Sequence, residues 1–329
     1  MNELSEATTP QPPPLKRRGS LIAPSPSKGS LIAPSSSEEG VGGGGTVDQA
    51  IRAATHRLGA GTDSARFDAE LLMAHALGTG RSDLFLKRMG DPAPAHFSEL
   101  IERRAAHEPV AYIIGEAHFW GLRLAVSPAV LVPRADSETL IEAARAALET
   151  RPPQRILDLG TGSGCLLLAA LNEWPAAEGV GIDSSGEALA VASRNADQHA
   201  RPGQISLLQR NWHEAGWQAG LGRFDLILAN PPYVETGAAL EPTVRDHEPA
   251  SALFAGPEGL DDYRVLIPQL PALLASGGIA MVEIGATQAR PVNAIAAQAG
   301  FETALHNDLA DRPRALELKI PLGNSGPSA

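Results

Sequence analysis

Two stretches of this chain hold residue types whose order suggests chemistry. In Ile156-Leu157-Asp158-Leu159-Gly160-Thr161-Gly162-Ser163-Gly164 an apolar run ends in three alternate glycines. Glycines belong there when a ligand must approach the backbone, and the N–H groups that open a following helix point into the same space. A dinucleotide fingerprint would need its third glycine where Cys165 stands, and a P-loop would need Gly-Lys-Ser/Thr, so both are excluded. Asp183 closes the next apolar run. A carboxylate at that strand end can accept hydrogen bonds from both hydroxyls of a ribose. The second stretch, Phe224-Asp225-Leu226-Ile227-Leu228-Ala229-Asn230-Pro231-Pro232-Tyr233, is an apolar strand ending in an amide, two prolines and an aromatic ring. Such an end suits a planar NH₂ group, whose delocalised lone pair reacts only when held on line. Asn230 can accept one N–H through its side-chain oxygen, and the Pro231 carbonyl can accept the other. The rings of Pro231 and Pro232 fix those acceptor directions. Tyr233 can stack on the flat face of the group and exclude water.

Both stretches need strands that end at one edge, and the surrounding sequence supplies them. Apolar runs expected as strands fall at 155–159, 179–183, 205–208, 224–229, 278–284, 301–306 and 315–320, with helices between them, for instance 165–172 and 188–199. Ser184 and Glu187 have capping-box spacing before the second helix. Strands separated by helices predict an α/β fold with a doubly wound, mostly parallel sheet of seven strands. The last two runs lack an intervening helix and should form an antiparallel hairpin at one edge. The carboxyl edge of such a sheet is where open α/β folds bind ligands.

Upstream the texture differs. Residues 46–115 read as a small helical domain. In it Phe67, Leu71 and Ala74 recur at helical spacing, with Asp63 or Ser64 as the cap; Leu84, Leu86 and Met89, then Phe97, Leu100 and Ile101, mark shorter helices. Lys87, Arg88, Arg103 and Arg104 form either a solvated helix face or a basic face toward an RNA-bound partner. Residues 116–127 read as a hairpin linker with Gly121 at the turn, and 128–322 as the α/β domain, with 323–329 a short end. Of residues 1–45, 22 are Ser, Pro or Gly, which predicts a disordered tail; within it Gly-Ser-Leu-Ile-Ala-Pro-Ser occurs twice, too few copies for a solenoid.

Composition sets the limits. The 329 residues are 43% hydrophobic with a net charge of −11. That excess of acid argues against stable nucleic-acid binding. No apolar run is long enough for a membrane helix. A single cysteine, Cys165, excludes an internal disulfide, and a cytoplasmic location is expected. At the helix start its thiol pKa could be lowered, although packing against the sheet is the plainer role. His118, His213 and His247 lack ligand spacing, so no metal site is expected. A monomer is expected.

The glycine loop with Asp183 resembles that of the class I S-adenosylmethionine methyltransferases, whose fold is Rossmann-like. The wider order is Leu131-Val132-Pro133-Arg134-Ala135-Asp136-Ser137-Glu138, the glycine loop, Asp183, Asn211-Trp212, Asn230-Pro231-Pro232-Tyr233, Glu248-Pro249 and Phe254-Ala255-Gly256-Pro257-Glu258-Gly259-Leu260. Across about 46–322 it closely resembles the HemK-type protein-(glutamine-N5) methyltransferases. That resemblance implies S-adenosyl-L-methionine as cofactor, and as substrate the glutamine of the Gly-Gly-Gln motif in class 1 peptide-chain release factors. It places the cofactor on Gly160, Thr161, Gly162, Ser163, Gly164, Asp183, Asn211, Trp212 and Asn230. It places catalysis on Asn230, Pro231 and Tyr233, and the substrate on Asn230, Pro231, Pro232, Tyr233, Arg134 and Glu138. The helical domain would recognise the substrate. Asn211 stands where relatives commonly carry an acid directed at the adenine amino group. Keeping Asp136 and Glu138 favours the release-factor branch over the similar ribosomal-protein glutamine methyltransferases. A plainer account of Arg134 and Glu138 is an ion pair at a helix start. An amino methyltransferase acting on nucleic acid shares the Asn-Pro-Pro-Tyr pocket but should carry a basic, aromatic-rich surface.

Overall fold

Short apolar runs with glycine breaks produce the expected sheet. The structure, a computed structural model, describes residues 45–321 apart from Ala60 and Asp63. The expectations for the N-terminal tail with its repeat, and for a cap at Asp63, concern residues outside that range. A hairpin is formed by β1 (Glu116–Phe119) and β2 (Leu122–Ala125). The seven later strands are β3 (Arg155–Leu159), β4 (Glu178–Asp183), β5 (Ile205–Gln209), β6 (Phe224–Ala229), β7 (Leu274–Glu283), β8 (Glu302–Asn307) and β9 (Pro313–Lys319). They make one sheet in the order β5-β4-β3-β6-β7-β9-β8. Strands β3 to β7 pair in parallel, while β9 joins β7 and β8 antiparallel, so the expected edge hairpin is present.

Both faces of the sheet are covered, and strand alternation sorts the residues between them. Leu157, Leu159, Ile227, Ala229, Ala280 and Val282 pack with Tyr263, Leu266, Leu270 and Val292 on one face. Ile156, Leu226, Leu228, Ile279 and Met281 pack on the other, against helices Glu138–Ala147 and Cys165–Glu173. The helix Gly186–His199 follows β4; its cap is Ser185, whose side chain accepts the Ala188 N–H, and not the expected Ser184. The sequence offers two adjacent serines, and the turn after Asp183 selects the second.

The helical region has a separate core of Val47, Ile51, Leu72, Met73, Leu84, Phe97 and Ile101. Helix Ala65–Ala76 buries Ala65, Ala69, Leu72 and Met73, so its inward stripe is rotated from the expected Phe67, Leu71 and Ala74. Of those three only Ala74 is buried, and Phe67 is 48% exposed. The misreading comes from Asp68 and Glu70, which are buried because each meets arginine: Asp68 meets Arg104 at 2.7 Å, and Glu70 meets Arg66 and Arg81. Ser64 makes no capping bond to the backbone, its hydroxyl donating to Asp68 instead. Of the residues marking the next short helix, Leu84 is buried and Leu86 is exposed. The four expected surface cations are all paired, Lys87 with Asp83, Arg88 with Asp91, Arg103 with Glu108 and the buried Arg104 with Asp68. They form neither a basic face nor a uniformly solvated one. Among the described residues no helix is long and apolar enough to cross a membrane.

The β1–β2 turn is Trp120-Gly121, both at positive φ, the geometry that matches strand twist in a two-residue hairpin. Fully buried Asn195 ties this hairpin to the glycine loop. It exchanges hydrogen bonds with the backbone of Ala125 and donates to the Ser163 carbonyl at 2.8 Å. Asp68→Ala leaves the Arg104 guanidinium buried without its carboxylate and should cost about 3 kcal/mol in urea unfolding. Arg103→Ala, at a more open pair, should cost under about 1 kcal/mol. Equal losses in the two variants would mean that burial of the Asp68 pair does not matter.

Candidate active site

Register assembles the site. Leu159 lies opposite Ile182 on β4 and Ala229 on β6, and Ala229 lies opposite Val282 on β7. The next residues are Gly160, Asp183, Asn230 and Glu283, four neighbours at the carboxyl edge. A cavity of about 550 Å³ opens there, a size suited to a cofactor-sized ligand. Its wall includes Gly160 to Ser163, Asp183, Asn211, Trp212, Asn230, Pro232 and Arg134. Residues far apart in the chain thus share one space.

The glycine loop needs its glycines. Gly160, Gly162 and Gly164 sit at φ 75°, 54° and 82°, the left-handed region that penalises side chains. A Cβ at Gly160 would also stand 3.3 Å from the Trp212 ring, which lies over the loop. Asp183 Oδ2 accepts the Gly162 N–H and Oδ1 the Ser185 N–H, both at 2.9 Å. Those bonds orient the carboxylate, and each oxygen keeps a lone pair for a further donor. Trp212 is held by its indole N–H donating to Asp262 at 2.8 Å, where His213 also bonds. Asn211 accepts the His213 N–H through its side-chain oxygen, so part of the capacity expected to face an adenine serves a local turn.

The Asn-Pro-Pro-Tyr segment is held from behind. Pro231 is buried, and the Tyr233 hydroxyl donates to Glu283 at 3.3 Å; neither residue belongs to the cavity wall. The Tyr233 carbonyl accepts from Gln288, which also donates to the Gly259 carbonyl. Gln288 therefore ties the Phe254–Leu260 stretch to the backbone at Tyr233. Asn230 Nδ2 donates to Ser137 at 3.5 Å.

One expectation about the Leu131–Glu138 stretch is corrected. Arg134 does not pair with Glu138 but donates to Glu248 at 2.6 Å. Glu138 accepts the Trp120 N–H at 2.7 Å, clasping the hairpin turn, and is absent from the cavity wall. At this helix start its side chain turns toward the hairpin. Asp136 likewise meets Arg312 and Arg314 of the edge hairpin. Both acids therefore anchor the fold.

Three buried acids surround the site without a role assigned by sequence. Asp158, 1% exposed, accepts from Thr161 at 2.6 Å, and enclosure beside Asp183 pushes its pKa up to about 7. Burial also raises Glu248, against the opposing pull of Arg134, and Glu283. One oxygen of each of the three lacks a hydrogen-bond partner among the described residues. Asp158 and Glu248 stood within motifs but gave no signal of burial, and Glu283 showed only as the polar end of an apolar strand. Cys165 takes the plainer role: it packs against the apolar layer, and enclosure pushes its thiol up to about 12, so the helix start does not activate it.

Comparison with known proteins fits this geometry. Residues 136–247 match the methyltransferase small domain and residues 49–115 the PrmC N-terminal domain. The hMettl16 catalytic domain, solved in complex with MAT2A 3'UTR hairpin 6, is similar at 14% identity and a TM-score of 0.50, over 72% of this chain and 87% of that one. That likeness concerns the fold alone, and fold and family match together define a methyltransferase. The release factor glutamine methyltransferase of Caulobacter vibrioides is 40% identical over 287 residues, 84% of this chain and 98% of that protein. The release factor glutamine methyltransferase of Cereibacter sphaeroides is 42% identical over 280 residues, 83% and 98% of the two chains. The chain belongs to the release factor glutamine methyltransferase family.

Asp158 makes stability depend on pH. Its carboxyl keeps a proton in the folded protein up to about pH 7, whereas the unfolded chain releases it near 3.8. Between those values the folded state holds the extra proton, so this group's contribution to stability falls as pH rises. Asp158→Asn should therefore lose less melting temperature than the parent between about pH 5 and about pH 8 in scanning calorimetry. Parallel curves for the two proteins would mean that the Asp158 carboxyl ionises as usual.

Proposed function

We propose that this chain methylates the side-chain amide nitrogen of the glutamine in the Gly-Gly-Gln motif of class 1 release factors, using S-adenosyl-L-methionine. The observation that carries this reading is the single cavity bounded by the glycine loop, Asp183 and Asn230. When bound, the cofactor supplies an electrophilic methyl group. The residues present fit it: Asp183 offers a carboxylate at the cavity wall, the glycine loop offers bare backbone at positive φ, and Trp212 offers an aromatic wall. Asn211 contributes its remaining acceptor capacity.

The chain's own part is orientation and electrostatics. Asn230 accepts one N–H of the glutamine amide and the Pro231 carbonyl accepts the other. Together they hold the nitrogen on line and raise its electron density as the new bond forms. Pre-set acceptors of this kind need no reorganisation during reaction. Pro232 restricts the backbone that aims them, and Tyr233 packs behind the segment with its hydroxyl on Glu283. Arg134, half exposed at the rim and paired with Glu248, offers a cation to the incoming loop of the substrate. The amide nitrogen, once methylated, sheds its proton to solvent without a strong base. The helical region would dock the remainder of the release factor. The reading requires one copy of the chain, no membrane and no nucleic acid, and it places the enzyme in the cytosol.

The test is methyl transfer to purified release factor, with the modified residue located by mass spectrometry. Labelling of a ribosomal protein or DNA with the release factor untouched would overturn the substrate assignment. Asn230→Ala should lower kcat by at least about a hundredfold while cofactor affinity by calorimetry stays within about threefold. Asp183→Ala should do the reverse, weakening cofactor binding by about tenfold or more. Unchanged affinity in that variant would remove Asp183 from the ligand site.

A further inference from the structure

The Trp212 ring closes one wall of the cavity, and its place there is held from a distant part of the chain. The benzene half of the indole lies over the glycine loop, its Cη2 atom 3.3 Å from where a Cβ on Gly160 would stand. The opposite edge is tethered. Nε1 donates to Asp262 Oδ1 at 2.8 Å, and the His213 ring meets the same oxygen through Nε2 at 2.9 Å. The backbone is tethered as well, since Gln269 donates to the Trp212 carbonyl at 3.2 Å. Asp262 is itself held fast. It is 8% exposed and sits on the short helix Asp261–Leu266, whose next residue, Tyr263, is fully buried and donates to the Glu283 carbonyl on β7 at 2.8 Å. Trp212, His213 and Asp262 all border the cavity.

We propose that Asp262 is a positioning residue for S-adenosyl-L-methionine, acting through the Trp212 indole, whose plane it fixes over the glycine loop. The proposal rests on the reading of this cavity as the cofactor site. A tryptophan side chain turns about two bonds, and stacking on a flat adenine ring is best served when its plane is set before the ligand arrives. Fixing it in advance removes an ordering cost from binding. The hydrogen bond does this because an indole N–H has one hydrogen and one direction in which to give it. A side-chain oxygen with two lone pairs can accept from two donors, which lets Asp262 hold Trp212 and His213 together. Contact with the transferred methyl group is no part of this role. The chemical step stays with Asn230 and Pro231, so loss of Asp262 should appear in cofactor affinity and not in kcat at saturation.

The test uses Asp262→Leu, Asp262→Asn and Trp212→Phe in the full-length protein, with S-adenosyl-L-methionine as the titrant in calorimetry. Asp262→Leu should raise the cofactor dissociation constant, and the KM for cofactor, by about tenfold, with kcat at saturating cofactor within about threefold of the parent. Asp262→Asn keeps an accepting oxygen and should stay within about threefold in all of these. Trp212→Phe removes the indole N–H, and in that background Asp262→Leu should add less than about twofold. A second readout needs no ligand: the indole N–H signal of Trp212, assigned by its loss in Trp212→Phe, is followed in ¹⁵N spectra of the cofactor-free protein. It should move further in Asp262→Leu than in Asp262→Asn. If Asp262→Leu does not fold, Asp262→Ala takes its place. Unchanged cofactor affinity in the folded variant, or a full loss that persists in the Trp212→Phe background, would overturn this inference alone. A parent protein that binds no S-adenosyl-L-methionine would instead overturn the functional reading.

Discussion

The site depends on the parallel register of β4, β3, β6 and β7. Because these strands end level, Asp183, Gly160, Asn230 and Glu283 follow one another along the carboxyl edge. Neighbouring strands lie about 4.8 Å apart, so the four positions span roughly 15 Å, enough for a ligand to touch a ribose-type acceptor and an amide acceptor together. A slip of one residue would turn every side chain of the slipped strand to the opposite face. Both faces of this sheet are filled with apolar side chains, so such a slip would be costly. The apolar layers therefore hold the polar edge in place.

Behind that edge the protein tolerates arrangements that a purely structural core would avoid. Asp158, Glu248 and Glu283 are buried acids, and each has an oxygen left without a partner among the described residues. Buried polar groups are ordinarily satisfied, so each of these partnerless oxygens lowers stability. Elsewhere the buried acids are paired, as Asp68 is with Arg104 and Glu70 with Arg66 and Arg81.

The strands and the motif loops were legible because their signals are local. Short apolar runs, glycine breaks and the paired prolines are punctuation that needs no tertiary context, and the seven expected runs all appear as strands within a few residues. The helical region was less legible. Charged Asp68 and Glu70 looked like an outward face on Ala65–Ala76, and only long-range arginine partners explain their burial. Arg134 and Glu138 are four residues apart and invite a local pair, but Glu248 and the Trp120 N–H compete from distant parts of the chain. The same holds for Asp136, whose arginine partners lie in the edge hairpin.

By itself the amino-acid order determined the α/β architecture, the position of the glycine loop and the segment suited to a planar amide. Each of these rests on neighbouring residues and on backbone preferences that act over one or two turns of chain. Only the tertiary structure decided which side chains behind those segments hold them, and in what orientation. Ser137, Glu248 and Glu283 reach Asn230, Arg134 and Tyr233 across separations of 50 to 114 residues, contacts created by sheet order rather than by spacing. Packing also decided which acids lose water, and with it their ordinary ionisation, because solvent exclusion is a property of the assembled layers.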